Sequence, residues 1–215
     1  MERAWVLAVT CVASLVATPA RADKFDETLD VSLHARTSWF QARDVGLSPA
    51  PAYDAPTLEA ADPRLTGTGR GYATSHRGNL SIDGFRFGLG TGFITSTGLS
   101  LEAGESLEAS EPLDPGRVWG VPFEAFAGYA FGSGRDVRPF LEVRGTLTAL
   151  QVSLSNGEYG APFSAYLPGL ATRGGVLVPL SQYFFLDAGV GIGILGPERF
   201  TLDVGLGLPI PLANL

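Results

Sequence analysis

The chain has a single cysteine, Cys11, among 215 residues. It sits in the N-terminal stretch MERAWVLAVTCVASLVATPARA. Arg3 gives that stretch a charged start, residues 5–17 are an apolar run, and Ala20-Arg21-Ala22 fits the small-x-small cleavage pattern of an export signal. Cleavage is expected after Ala22. Thr10 is a poor residue before a lipidated cysteine and the apolar run continues past Cys11, which argues against a lipoprotein. Residues 1–22 are thus expected to be a signal peptide, leaving 215 − 22 = 193 residues without cysteine. Such an exported chain has no disulfide, no thiolate nucleophile and no Cys-ligated metal.

Other shortages narrow the field further. Beyond residue 22 no segment approaches the roughly 18 consecutive apolar residues of a membrane helix. Positive charge is the minority sign, with 15 Lys and Arg against 22 Asp and Glu. Without Arg3, Arg21 and Glu2 the balance is 13 − 21 = −8. That acidity argues against nucleic acid as a partner. Histidine is limited to His34 and His76, too few and too far apart for a convincing metal site. No cofactor and no metal are expected. Helical periodicity is almost missing.

What the chain does have is alternation. About eight segments repeat apolar and polar residues with period two, separated by turn chemistry, as barrel strands require. In residues 200–212, Phe200, Leu202, Val204, Leu206, Leu208, Ile210 and Leu212 share one face. Residues 184–194 alternate in the same way. Residues 25–40 set Leu29, Val31, Leu33, Ala35, Thr37 and Trp39 against Asp30, Ser32, His34, Arg36 and Ser38. Residues 119–131 and 141–149 are similarly clear; 80–93, 99–108 and 165–180 are weaker. Gly191-Ile192-Gly193-Ile194-Leu195-Gly196 matches a dinucleotide-binding fingerprint, but that pattern needs a following helix. Pro197 and a strand pattern follow instead. The glycines are read as the small face of two neighbouring strands.

Alternation alone fits both a soluble sandwich, apolar rows inward, and a membrane barrel, apolar rows outward. Three features favour the barrel. The polar rows are rich in glycine. Aromatics gather near strand ends, with Trp39, Trp119, Tyr166 and Phe200 expected at one end and Phe93, Tyr129, Phe131 and Phe184 at the other. Link lengths also alternate. Those near residues 95–98, 132–136 and 181–182 are short, and those at 42–79, 109–118 and 154–164 are longer. The expected fold is all-β: a closed antiparallel up-and-down transmembrane β-barrel of about eight strands over residues 23–215. Residues 42–79 are expected to form one long extracellular loop.

On these patterns the chain resembles the small eight-stranded outer-membrane β-barrels of Gram-negative bacteria, the OmpA/OmpX-like superfamily. Gly205-Leu206-Gly207-Leu208-Pro209-Ile210 looks like the assembly signal of their last strand, although the chain ends Ala213-Asn214-Leu215 without the usual aromatic. The resemblance implies the cell outer membrane as location. It implies outer-membrane lipid and lipopolysaccharide as surroundings, contact with the barrel-assembly machinery through the last strand, and a monomer. Glu105 fits poorly, because it falls on the apolar parity of residues 99–108.

The inward row is expected to carry Asp30, Arg36, Arg86, Glu102, Glu124, Glu142, Arg144, Arg173, Asp187 and Asp203. An eight-stranded barrel is just wide enough for side chains to fill it, and buried charges must pair. These residues are therefore expected to plug the lumen as structural ion pairs rather than to catalyse. No catalytic residue is assigned. His34 beside Ser32 leaves a lipid-modifying barrel enzyme, of the lipid A deacylase kind, as an alternative, without any G-x-S-x-G motif. A soluble periplasmic or secreted β-sandwich that binds a ligand is the other alternative.

Overall fold

The computed structural model describes residues 27–49, 64–102, 115–132, 136–154 and 163–214. The expected signal peptide, its cleavage site and Glu105 lie outside them. Eight long strands carry the fold: β1 (Glu27–Gly46), β2 (Arg64–Ile82), β3 (Phe85–Thr97), β4 (Pro115–Ala130), β5 (Arg138–Leu154), β6 (Phe163–Pro179), β7 (Phe185–Leu195) and β8 (Glu198–Pro211). Each pairs antiparallel with its neighbours in sequence, and β8 pairs with β1 to complete a ring. Two short pieces extend the sheet. Ser48–Pro49 pairs with the start of β6, and Ser100–Glu102 pairs with the start of β2.

The ring is sheared. Following partners from Trp39 leads through Phe200, Ile192, Thr172, Val143, Ala127, Phe87 and Leu80 back to Leu29. The path re-enters β1 at a stagger of 39 − 29 = 10 residues. Such a stagger requires strands tilted by roughly 35–45° to the axis.

One end of the ring has short connections, and it will be called the lower end. There β2 turns into β3 through Asp83-Gly84, with φ of 49° and 86°. Two central residues with positive φ make a type I′ turn, whose twist matches that of the flanking strands. Residues 131–137 and 180–184 make the other lower links. Both described chain ends, the start of β1 and the end of β8, lie here too. At the upper end β7 and β8 join tightly through Gly196-Pro197, while the other three links are longer.

The turn at Asp83-Gly84 corrects the expected segmentation. Residues 80–93 are not one strand but the lower end of β2, the turn and the lower part of β3. The proposed strand at 99–108 reduces, among described residues, to Ser100–Glu102. Residues 42–79 are not one loop, because residues 42–46 continue β1 and Arg64 onward is β2, paired along β1. The link near 95–98 belongs to the upper, longer end.

Burial settles the sense of the alternation. Along β2 the buried residues include Ala73, Ser75, Arg77, Asn79 and Ser81, while Tyr72, Leu80 and Ile82 are exposed. On β1 and β8, Val31, Leu33, Leu206 and Leu208 face outward at 45–54% exposure, whereas Asp30, His34, Arg36 and Asp203 are at most 6% exposed. A water-soluble sandwich needs the opposite sense and two stacked sheets. Pro209 and Pro211 pair with β1 but lie past the last β7 partner, Gly207 opposite Phe185. A one-sided stretch of ladder is where proline is tolerated.

Candidate functional site

The lumen is the site, because alternate residues of every strand project into it. From β1 come Asp30, Ser32, His34 and Arg36, and from β2 come Arg77, Asn79 and Ser81. Arg86 and Glu124 come from β3 and β4, Glu142 and Arg144 from β5, Arg173 from β6, Asp187 from β7, Asp203 and Glu198 from β8. Nearly all are under 8% exposed.

The charges interleave. Near the top of the network Arg36 pairs with Glu124 and, at 3.7 Å, with Glu198. Arg77 donates to Glu124 at 3.1 Å and to Asp203 at 3.0 Å. Arg144 donates to Glu198 at 3.2 Å and lies 3.9 Å from both Glu124 and Asp203. Lower down, Arg173 reaches Asp187 at 2.5 Å and Glu142 and Asp203 at 3.3 Å. Arg86 sits 3.4 Å from Asp187 and 3.7 Å from Glu142. Phe140 lies under the guanidinium carbons of both Arg173 and Arg86, at 4.7 and 5.2 Å from its ring centre, and Phe126 lies 5.5 Å from that of Arg77. Each cation therefore meets carboxylates from more than one strand, and three of them meet a ring face as well.

At the bottom Asp30 accepts from the neutral donors Thr28, Asn79 and Ser81, at 2.7, 2.9 and 3.1 Å. Neutral hydrogen-bond donors from β1 and β2 hold this carboxylate.

Ser32, His34 and Asp203 form a relay. The Asp203 carboxylate accepts from His34 Nδ1 at 2.6 Å, and with the ring neutral Nε2 accepts the Ser32 hydroxyl proton at 2.8 Å. This is the connectivity of a nucleophile, base and orienting acid. All three are buried, at 7%, 1% and 0% exposure. Asp203 is also shared with Arg77 and Arg173, which ties the relay into the ionic network.

The glycines of the inner rows make room for these side chains. A Cβ on Gly205 would lie 2.5 Å from His34 Cε1, and one on Gly189 would lie 2.9 Å from Arg173 Nε. One on Gly90 would come within 3.0 Å of Arg77 Cγ. In the dinucleotide-like run a Cβ on Gly191 would collide with Thr201 Oγ1 and one on Gly193 with the Glu198 carbonyl oxygen, so these glycines allow β7 to pack closely on β8, and a strand rather than a helix follows the run.

Of the ten residues expected in the lumen, nine are buried there: Asp30, Arg36, Arg86, Glu124, Glu142, Arg144, Arg173, Asp187 and Asp203. The side chain of Glu102 lies outside the described residues. Its backbone is on the short piece that pairs with the start of β2, opposite Arg64, beyond the end of β3. Arg77 and Asn79 fall inside the expected 42–79 loop and Ser81 inside the expected strand 80–93, so none of them is among the residues expected in the lumen. Their parity within 72–82 is as regular as that of β1. His76 faces outward and takes no part.

Above Arg36 the filling changes. Ala42, Leu47, Leu65, Leu99, Val118, Leu150, Val152 and Phe163 make a buried apolar cluster. A smaller one, Ala130, Phe140, Leu177 and Phe185, closes the lower end. Outside, Trp39 packs on Phe200 at 5.2 Å and Phe93 stacks on Trp119 at 5.8 Å. Phe85, Tyr129 and Phe131 form a second group near the lower turns. Phe93 thus belongs to the upper belt and not, as expected, to the lower one.

A charged, filled interior inside an apolar exterior with two aromatic belts defines an eight-stranded up-and-down barrel of the outer-membrane type. No family model matches the sequence, and no curated protein does. Among solved structures the chain is similar to Neisserial surface protein A (NspA), with a TM-score of 0.57 at 17% identity, covering 85% of this chain and 97% of that one. It also aligns with the Yersinia pestis outer membrane protein Ail in a phospholipid bilayer nanodisc. That match covers 86% of this chain and 99% of that one, with 18% identity and a TM-score of 0.34. The likeness to NspA is one of fold.

Proposed function

We propose that this protein is an integral outer-membrane β-barrel with a structural or surface-interaction role, its lumen plugged by ion pairs. The observation that supports this reading is the filled interior. Five arginines and five carboxylates share one crowded layer in which each charge has partners from other strands. A ring of this size leaves little free cross-section once such side chains are placed. The longer upper links face the exterior on this reading, and both described chain ends face the periplasm.

Carbonate-washed membranes should retain the protein, and unboiled protein should migrate differently from boiled protein on a detergent gel. Planar bilayers should show no large steady conductance. Release by carbonate would remove the membrane assignment, and a steady conductance on the scale of a wide porin would remove the plug.

The Ser32–His34–Asp203 relay favours a second reading, a lipid-modifying hydrolase. It would require substrate to reach a serine that is 7% exposed inside the ring. Replacing His34 with Ala should leave the lipid A acylation pattern unchanged on the first reading. A changed pattern would establish the second.

A further inference from the structure

The wall of the ring is uneven in height. β6 pairs with β7 only up to Leu170 opposite Leu195, and β7 and β8 end in the tight turn at Gly196-Pro197. β6 nevertheless continues upward to Phe163, and β1 continues to Gly46. On the β7–β8 side, the upper parts of these two strands are bridged again only where Ser48–Pro49 meets Phe163–Ser164. Among the described residues, the wall therefore has a notch above the β7–β8 turn.

Behind the notch, between the ionic layer and the upper apolar cluster, lies a cavity with a free volume of about 40 Å³. Leu65, Ile94, Val118, Leu150, Leu167 and Ala171 supply apolar lining. Arg36 and Glu198 also line it, and they pair with each other at 3.7 Å. The charged part of the lining thus offers no isolated charge to an ion.

The cavity reaches the outside. Leu195 lines it yet is 63% exposed, and the next outward residues down β7, Ile194 and Ile192, are exposed apolar side chains. The mouth is also at a defined height. Pro197 accepts a hydrogen bond from the Gln41 amide, two residues above the Trp39–Phe200 pair of the upper belt. It opens at the edge of the apolar outer surface.

We propose that this cavity takes the end of one acyl chain of a membrane lipid, entering sideways through the notch beside Leu195. The inference rests on the membrane placement proposed above. Apart from the Arg36–Glu198 pair and the hydroxyls of Ser96, Thr146 and Thr148 the lining is apolar, as is the outer surface at the mouth, so a hydrocarbon chain passes between them with little exposure to water. The volume holds about three waters, at 10–15 Å³ each. It therefore suits the narrow end of a chain and not a headgroup or a ring. The paired Arg36 and Glu198 favour an uncharged occupant.

The test is electron paramagnetic resonance of the full-length protein in phosphatidylcholine nanodiscs. In one arm the probe is phosphatidylcholine with a nitroxide a few carbons short of the end of one chain, so that the unlabelled end enters the cavity; in the other it is stearic acid labelled at the same position. A component for lipid at the barrel surface should appear in every folded sample, and its absence would overturn the membrane placement instead. Wild type should add a strongly immobilised component, one chain per barrel, in the phospholipid arm. Ala171→Phe, which fills the cavity, should remove it while leaving the surface component. If Ala171→Phe loses the migration difference of a folded barrel, Leu167→Trp replaces it. An immobilised component unchanged by filling, or absent from wild type, overturns the proposal. Immobilisation of stearic acid alone overturns the membrane lipid as the source.

Discussion

Below Arg36 the strands point charge inward and hydrocarbon outward; above the Trp39–Phe200 pair they do the reverse. On β1 the inward residues change from Asp30, Ser32, His34 and Arg36 to Ala42, and the outward ones from Val31 and Leu33 to Gln41 and Arg43. On β2 the inward Arg77 and Asn79 give way to Leu65 at the top, while outward Leu80 gives way to Arg70 and Thr68. The backbone is continuous through the change. What differs is the medium outside. Where lipid surrounds the wall, the apolar row must face it, and polar groups find partners only in the lumen. Where water surrounds the wall, the apolar row gains by turning inward, as in a soluble protein. The aromatic belt marks the level of the switch.

The two halves should break differently. The largest effect is expected from Arg173→Ala in the ionic half. It removes a cation shared by Asp187, Glu142 and Asp203 and leaves Arg86 and Arg77 to balance them, and removing one partner of a buried charge pair costs roughly 3–5 kcal/mol. Urea unfolding in detergent, followed by tryptophan fluorescence, should show that loss. A cost near zero would mean that water, not arginine, balances these acids.

In the apolar half Leu65→Ala should cost roughly 2–5 kcal/mol through lost burial and the cavity left behind. Combined with Arg173→Ala the costs should add, because no interaction of Arg173 reaches the upper cluster. Strong coupling in a double-mutant cycle would erase the distinction between the halves.

The outer face sharpens the comparison. Leu206→Arg places a cation among lipid-facing side chains and should cost roughly 2–4 kcal/mol, whereas Gln41→Arg, above the belt, should cost about 0–1 kcal/mol. Equal costs would mean that the switch in polarity does not follow the membrane. A smaller effect is expected from Gly205→Ala, whose Cβ meets the His34 ring at 2.5 Å. Overpacking of this kind costs about 1–3 kcal/mol, and here the loss should fall toward the low end if the ring can tilt. The same unfolding assay reads it.

The eight-stranded ring was legible in the sequence wherever alternation was strict, as in 200–212 and 27–39. It is hard to read at the two-residue turn Asp83-Gly84, where the outward apolar row passes from even positions (Leu80, Ile82) to odd ones (Phe85, Phe87), so that a single strand over 80–93 averages two opposite parities. Merging the two strands there leaves most of β2 in the expected 42–79 loop, and Arg77 and Asn79 with it. The upper halves of β1 and β2 were missed for a different reason. Their alternation continues but changes sign, and a search for one apolar face stops there.

The sequence by itself determined that the chain is a set of amphipathic strands and which side chains share a row, since side-chain direction in a strand follows from position alone. It also placed glycine opposite bulk, leaving space for His34 and Arg173 before any partner is known. Only the tertiary structure decided which row faces in, which arginine meets which acid, and that Ser32, His34 and Asp203 line up. The stagger of ten residues brings residues 169 positions apart, such as His34 and Asp203, within one hydrogen bond. Pairing across a ring depends on register, and register is a property of the closed circuit of strands, not of any one of them.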